Sequence, residues 1–294
     1  MKPPVFAYHA PRSLDEALAL LGELGDDGKV LAGGQSLVPM LNMRLVAPAA
    51  LVDIRHLDAL DTVEVDGDRV RVGARVTHRR LEGDDEVAFA VPLLREALRL
   101  VAHPVIRNRG TSVGSIVHAD PAAEMPAVVA LLDARLELRS SDGVRSVTGA
   151  EAFTGPLESA LRPGELATAV EFAVPDPGTG MAIEELARRH GDYALAGVCA
   201  RIDLDDDRRV RSAQGAFFGV GGLPERIELT DTLAGQSADA LRPADATAFA
   251  REAIDPDDDI HATAAYRRHL AGVLLERALV RAAAAAGTDT EVRA

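Results

Sequence analysis

The chain is short of the residues on which several functional classes depend. Its 294 residues include a single cysteine, no tryptophan and only 3% aromatics. One thiol closes no intrachain disulfide, and it cannot supply the four ligands an iron–sulfur cluster usually takes. That thiol, Cys199, lies in the apolar segment Leu195-Ala196-Gly197-Val198-Cys199 and reads as a small buried hydrophobe. So few aromatics leave no base-stacking platform for single-stranded nucleic acid. Positive charge is scarce too: 32 Lys and Arg stand against 46 Asp and Glu, a net charge of −14. Nucleic-acid phosphates call for the opposite balance. No apolar run reaches membrane-spanning length, and Met1-Lys2-Pro3-Pro4-Val5-Phe6 lacks the apolar centre of a secretory signal. The expectation is a cytoplasmic protein with no membrane insertion and no nucleic-acid partner.

Glycine is plentiful and placed with a pattern. Two turns, Ala32-Gly33-Gly34-Gln35-Ser36 and Gly110-Thr111-Ser112-Val113-Gly114-Ser115, each stand between an apolar stretch and a helix-like one. The second runs on into His118-Ala119-Asp120-Pro121-Ala122-Ala123-Glu124. Small residues let main-chain N–H groups approach a ligand, and successive N–H groups pointing one way form an anion-binding concavity. Two such turns suit the two phosphates of one pyrophosphate, with Arg107 and Arg109 beside the second. Neither turn spells the Rossmann fingerprint.

Ser13 and Glu16 have capping-box spacing before a helix over Leu14–Leu24, with Gly25 past its end. Lys29–Ala32 reads as a strand, Ser36–Arg44 as a helix, Leu51–Ile54 and Arg69–Ala74 as strands, and Pro92–Val101 as a helix. Asp120 and Pro121 read as N-cap and first residue of a further helix that Pro126 restarts. Leu136–Arg139 and Val144–Val147 flank Asp142-Gly143 as a hairpin, and Leu166–Val174 is another strand. Pro175-Asp176-Pro177-Gly178-Thr179-Gly180 marks a domain boundary. Three strands (Ala182–Ala187, Ala196–Leu204, Arg209–Val220) and two helices (Ala244–Ala253, Ala262–Ala285) follow, an α+β pattern, with the alanine-rich tail read as a fraying helix end.

Rival motifs are weaker. Gly110–Gly114 fits the Gly-x-Ser-x-Gly nucleophile elbow, with Ser112 as nucleophile and His118 nearby, but Pro104–Arg109 makes a poor preceding strand. Gly219-Val220-Gly221-Gly222 reads as a tight corner. Asp255, Asp257, Asp258 and Asp259 lack calcium-loop order and read as a solvated acidic loop, and His261 and His269 as surface or interface residues. Tyr193 follows a charged, glycine-containing turn from which a side chain could enter a cleft.

The segments Val30–Leu37, Ala102–Asn108, Gly110–Ser115, Ala119–Glu124, Arg188–Leu195 and Asp259–Leu270, in that order and spacing, resemble the FAD-binding medium subunit of the molybdenum hydroxylases, of the carbon-monoxide dehydrogenase and xanthine dehydrogenase type. The resemblance spans nearly the whole chain. It implies an α+β protein: a two-lobed p-cresol-methylhydroxylase-type FAD domain over residues 1–176, then a smaller C-terminal domain of a three-stranded sheet plus helices over 177–294. It implies FAD as cofactor and partners that carry iron–sulfur clusters and molybdopterin, in a heterotrimer or a dimer of heterotrimers. Carried over by position, Val30, Leu31, Ala32, Gly33, Gly34, Gln35, Ser36 and Leu37 with Thr111, Ser112, Val113, Gly114 and Ser115 would wrap the pyrophosphate. Val101, Ile106, His118, Asp120 and Leu166 would lie near the cofactor, Glu124 would reach the ribityl hydroxyls, and Tyr193 would sit against the isoalloxazine. Two departures stand out. Relatives often have consecutive glycines where this chain has Val113-Gly114, and some carry a lysine near the flavin where it offers Glu184 or Glu185. The function implied is electron relay to NAD+, a quinone or another acceptor, with a stand-alone flavin oxidoreductase as the alternative.

Overall fold

Ser13 opens the first helix as its spacing predicts. Its hydroxyl accepts from the Glu16 amide, and Gly25 closes the helix at φ +54°. The other half of the box is shifted, because the Glu16 carboxylate accepts from the Arg12 amide. The computed structural model describes residues 2–286. In chain order, β1 (Ala7–His9), α1 (Leu14–Leu24), β2 (Gly28–Leu31), α2 (Leu37–Met43) and β3 (Ala50–Asp53) make the first lobe. Its three strands are parallel, in the order β1-β3-β2. Ala17, Leu18 and Leu21 put the apolar stripe of α1 into the core.

The second lobe starts with the hairpin of β4 (Val63–Asp66) and β5 (Arg69–Gly73). Six helices follow: α3 (His78–Glu82), α4 (Asp85–Ala90), α5 (Pro92–Leu100), α6 (Pro104–Arg107), α7 (Ser112–His118) and α8 (Glu124–Leu132). Then come β6 (Arg135–Ser140), β7 (Gly143–Thr148), the short pair β8 (Phe153–Gly155) and β9 (Glu158–Ser159), and β10 (Leu166–Ala173). The five-stranded antiparallel sheet runs β4-β5-β10-β6-β7. Its central strand β10 is also its most apolar, since it is buried on both faces.

Two expectations fail here. The second glycine turn is not a loop before a helix but the first turn of α7 itself. Asp120 is not the N-cap of α8, because Ala119 ends α7 in a left-handed conformation and leaves Asp120 three residues before the actual cap, Ala123. Its carboxylate accepts from the Ala122 amide, and α8 starts at Glu124 behind Ala123. Every residue of α8 is buried. It packs on α5 and α7 and also on later strands, so it has no solvent face to show a period.

Those later strands are β11 (Thr179–Ala187), β12 (Ala194–Leu204), β13 (Val210–Phe218) and β14 (Glu225–Glu228), antiparallel in that order. The sheet has four strands rather than the three expected. The extra edge strand has one buried side chain, Ile227, between charged neighbours. After α9 (Thr230–Leu233), α10 (Ala244–Ala253) and α11 (Ala264–Ala285), the described chain ends. Period-2 alternation splits this sheet between two cores: Ile183, Cys199, Ala216 and Phe218 join the N-terminal core, while Ala182, Val198, Ala200 and Phe217 pack with α11. The alanine-rich end is no frayed tail. Ala282, Ala283 and Ala286 are buried, and an added Cβ on Gly180 would meet the Ala282 carbonyl oxygen at 1.9 Å.

Candidate functional site

The two glycine turns meet. Strand β2 delivers the first and α2 leaves it, with Gly34 at φ +72° and the Gln35 side chain donating through Nε2 to the Gly33 carbonyl at 3.2 Å. The second turn is held by hydrogen bonds from the His78 amide to the Gly110 carbonyl (2.8 Å) and from the Ser112 amide to the Val76 carbonyl (3.2 Å). Thr111 caps α7, its Oγ1 accepting from the Gly114 amide. A Cβ on Gly33 would lie 2.7 Å from the Gly110 Cα, so only glycine lets the turns touch. Val113, in place of the glycine that the resemblance implies, is buried in the first helical turn and keeps negative φ. A β-branched residue is at home there.

Among the described residues, the amides of Gly33, Gly34, Gln35 and Ser36 have no hydrogen-bond partner within the chain. Successive unpaired N–H groups at a concave wall form an anion-binding nest. They border a cavity of ≈ 1250 Å³ whose wall also includes the second turn. That exceeds the roughly 300–1,000 Å³ of ordinary small-molecule pockets and leaves room for a dinucleotide. The residues therefore fit FAD.

Of the first turn, Val30 and Ala32 to Leu37 line this cavity, as do Thr111, Val113, Gly114 and Ser115 of the second. Val101, Ile106, His118, Asp120, Glu124, Leu166 and Tyr193 line it too. Two expected residues do not. Leu31 belongs to a smaller neighbouring hollow with Pro39, Arg55 and Arg109. Ser112 is fully buried, its Oγ 3.2 Å from His78 Nδ1. Arg107 also turns away: it is buried, donating to Glu82 and to the Val101 and Ala102 carbonyls. Tyr193, by contrast, is 69% exposed on the cavity wall.

Burial sets the site's protonation. It raises Glu124 to about 8, helped by the nearby Glu185 charge, so this carboxyl is protonated at neutral pH and can donate as well as accept. Burial alone raises Glu185 to about 7, and its Oε2 is buried without a partner. Glu184 is spoken for, accepting from Arg281 at 2.7 Å. Burial lowers His118, and it lifts the Cys199 thiol well above its usual range, which leaves an inert side chain.

The nucleophile-elbow geometry is absent. Ser112 follows helix α6 rather than a strand, and its partner is His78, not His118. Burial pushes His78 down to about 4, and the nearby Arg107 charge adds to this. Among the described residues no carboxylate is hydrogen-bonded to the imidazole to orient it as a base. Among the described residues no group of three or more His, Cys, Asp or Glu side chains could hold a metal ion. No helix there is long and apolar enough to cross a membrane. Sequence reasoning missed several wall residues: Gly219 to Gly222, Asp257, Asp259, His261 and Arg267. Their only signals were the corner glycines and the Asp259–Leu270 resemblance, and neither says which way a loop folds.

A fold of two α/β lobes and a further α+β unit, with two glycine turns closing on one cavity, defines a flavoprotein of the dinucleotide-cradling kind. Residues 4–176 match the FAD binding domain in molybdopterin dehydrogenase, and residues 181–282 match the CO dehydrogenase flavoprotein C-terminal domain. The caffeine dehydrogenase subunit beta of Pseudomonas sp. (strain CBB1) is 40% identical over 285 residues, 96% of each chain. The carbon monoxide dehydrogenase medium chain of Afipia carboxidovorans is 38% identical over 97% of this chain and 99% of its own length. The solved carbon monoxide dehydrogenase of Hydrogenophaga pseudoflava, which lacks the Mo-pyranopterin moiety, superposes with a TM-score of 0.92 at 35% identity, covering 97% of this chain and all of that one. The chain belongs to the family of FAD-binding flavoprotein subunits of molybdopterin dehydrogenases, and it is an FAD-dependent oxidoreductase subunit.

Proposed function

We propose that this chain is the electron-relay subunit of a molybdenum hydroxylase. A molybdopterin subunit oxidises the organic substrate, an iron–sulfur subunit carries the electrons on, and this subunit passes them to NAD+, a quinone or another acceptor. The assembly is a cytoplasmic heterotrimer or a dimer of heterotrimers, and within this chain residues 1–176 bind the cofactor while 177–294 close over it. The observation that carries the reading is the run of unpaired amides at Gly33–Ser36, pressed against the second turn. The lone buried cysteine supports it from the other side, since clusters must come from a partner.

Bound FAD supplies one- and two-electron transfer. The chain's own part is to hold, orient and shield it. The unpaired amides of Gly33 to Ser36 would hold the diphosphate, with the second turn packed beside them in the cavity wall. Glu124, protonated, would hydrogen-bond the ribityl hydroxyls, and Tyr193 would sit against the isoalloxazine. Native mass spectrometry of the complex purified from its source tests this. The expected result is one FAD on this chain, accompanied by a cysteine-rich chain and a molybdopterin chain. Recovery of an FAD-loaded chain without partners would instead make it a stand-alone flavin oxidoreductase.

A further inference from the structure

Arg267 stands in the first turn of α11, 8% exposed and at the edge of the cofactor cavity. Its Nη1 donates to the carbonyl oxygens of Leu195 (2.6 Å) and Gly219 (2.5 Å), and its Nη2 donates to Asp259 Oδ2 (2.7 Å). These acceptors lie on three separate segments: the start of β12, the corner after β13, and the loop before α11. Leu195, Gly219 and Asp259 all line the cavity.

Each acceptor is itself fixed. The Asp259 carboxylate accepts from the His261 and Ala262 amides, which with Arg267 hold it down at about 2. Gly219 is at φ +72°, and its amide donates to the Pro121 carbonyl at 2.8 Å, which ties the corner to the segment leading into α8. Leu195 lies two residues after Tyr193. On the other side of Tyr193, a Cβ on Gly191 would meet the His103 ring at 2.5 Å. The Val101–Ala102 segment leading to His103 is held in the same manner, Arg107 donating to the Val101 and Ala102 carbonyls and to Glu82. A planar guanidinium presents several donors in fixed directions, so one side chain can set the spacing of two carbonyls and a carboxylate.

We propose that Arg267 is a positioning residue for the flavin ring: by clasping Leu195, Gly219 and Asp259 together it fixes the wall from which Tyr193 reaches the isoalloxazine. This rests on the reading above that FAD fills the cavity with Tyr193 at its ring. The diphosphate end has its own donors, so loss of Arg267 loosens the ring end and leaves the cofactor bound.

The test uses full-length protein and FAD, reading cofactor stoichiometry and flavin fluorescence in wild type, Arg267→Gln, Arg267→Lys, Tyr193→Ala and the Arg267→Gln/Tyr193→Ala double variant. An aromatic ring stacked on the isoalloxazine quenches its emission, so fluorescence reports the ring contact directly. Arg267→Gln is expected to keep one FAD per chain while its fluorescence rises towards that of Tyr193→Ala. The double variant matches Tyr193→Ala alone, because both changes remove the same contact. Lysine, which keeps the charge but not the fork, falls between glutamine and wild type. Native-like fluorescence in Arg267→Gln, additive rises in the double variant, or no rise in Tyr193→Ala would each overturn the proposal. If Arg267→Gln loses its far-ultraviolet circular dichroism, Asp259→Asn, which removes one of the three partners, replaces it with the same expected direction. Wild type that binds no FAD sinks the underlying reading before any variant is made. Wild type that binds FAD beside an unchanged Arg267→Gln sinks this inference alone.

Discussion

Gly33 and Arg109, 76 positions apart in sequence, touch so closely that a Cβ on Gly33 would lie 2.1 Å from the Arg109 carbonyl oxygen. Contact at that distance turns two ordinary glycine turns into one binding surface. It also shows why the first turn needs glycine twice: Gly33 for closeness, Gly34 for its positive φ.

Gly33→Ala should therefore force the turns apart. Overpacking of this kind costs roughly 1–3 kcal/mol, and the loss of flavin absorbance in the purified variant should exceed the loss of stability. Gly34→Val is expected to lose FAD too, because it combines a disfavoured φ with crowding at Leu31 and Val38. Stoichiometric FAD in either variant would contradict the turn assignment.

Glu124 gives a pH signature. The folded chain keeps its proton up to about pH 8, whereas the unfolded chain releases it near the ordinary 4.5. The native state thus binds more protons across that interval, and stability falls as pH rises through it. His78 acts in the opposite sense, its folded value of about 4 lying below the ordinary 6.5. Its contribution is present above pH 6.5 and is lost on acidification, so from pH 6.5 to 8 the carboxyls act alone. The melting temperature of the cofactor-free protein should fall across that range, and the fall should be smaller in Glu124→Gln. Each kcal/mol recovered is worth about 2–4 °C in a chain of this size. Parallel curves for the two proteins would show that Glu124 is already ionised.

Ser112 is expected to resist fluorophosphonate labelling, since it is fully buried against a neutral imidazole. Ser112→Ala should cost on the order of 1 kcal/mol from the hydrogen bond it strands and still retain FAD. Labelling of Ser112 at native pH would revive hydrolase chemistry.

Gly180→Val tests the far side of the C-terminal sheet. Its side chain would collide with the Ala282 carbonyl and Ala286, so α11 must shift. A lowered melting temperature is expected, with the glycine turns untouched and FAD still bound by the folded fraction. An unchanged melting temperature would mean that α11 ends loosely.

Much of this was readable in the sequence because the signals were local. Ser13, Gly25 and the apolar spacing between them fix α1, and Asp142-Gly143 signals the β6–β7 hairpin, whose loop is Ser141-Asp142 with Gly143 already in β7. The glycine turns and Tyr193 could be placed in one site by resemblance and by the physics of small residues. What stayed hidden was set by packing. Helix α8, buried on all sides, shows no periodicity, and its start moved when Ala119 took a left-handed conformation. Ala282 and Ala286 look like a tail until Gly180 is seen against them. Arg107 reads as a phosphate ligand but is spent on Glu82 and two carbonyls, while Arg267 had no local signal, because its three partners lie 72, 48 and 8 residues away.

Crystals grown with FAD decide whether the two turns hold the cofactor. The diphosphate should lie within hydrogen-bond distance of amides from Gly33–Ser36 and against the second turn at the start of α7, with the isoalloxazine beside Tyr193. FAD bound elsewhere, with both turns empty, would contradict the whole account.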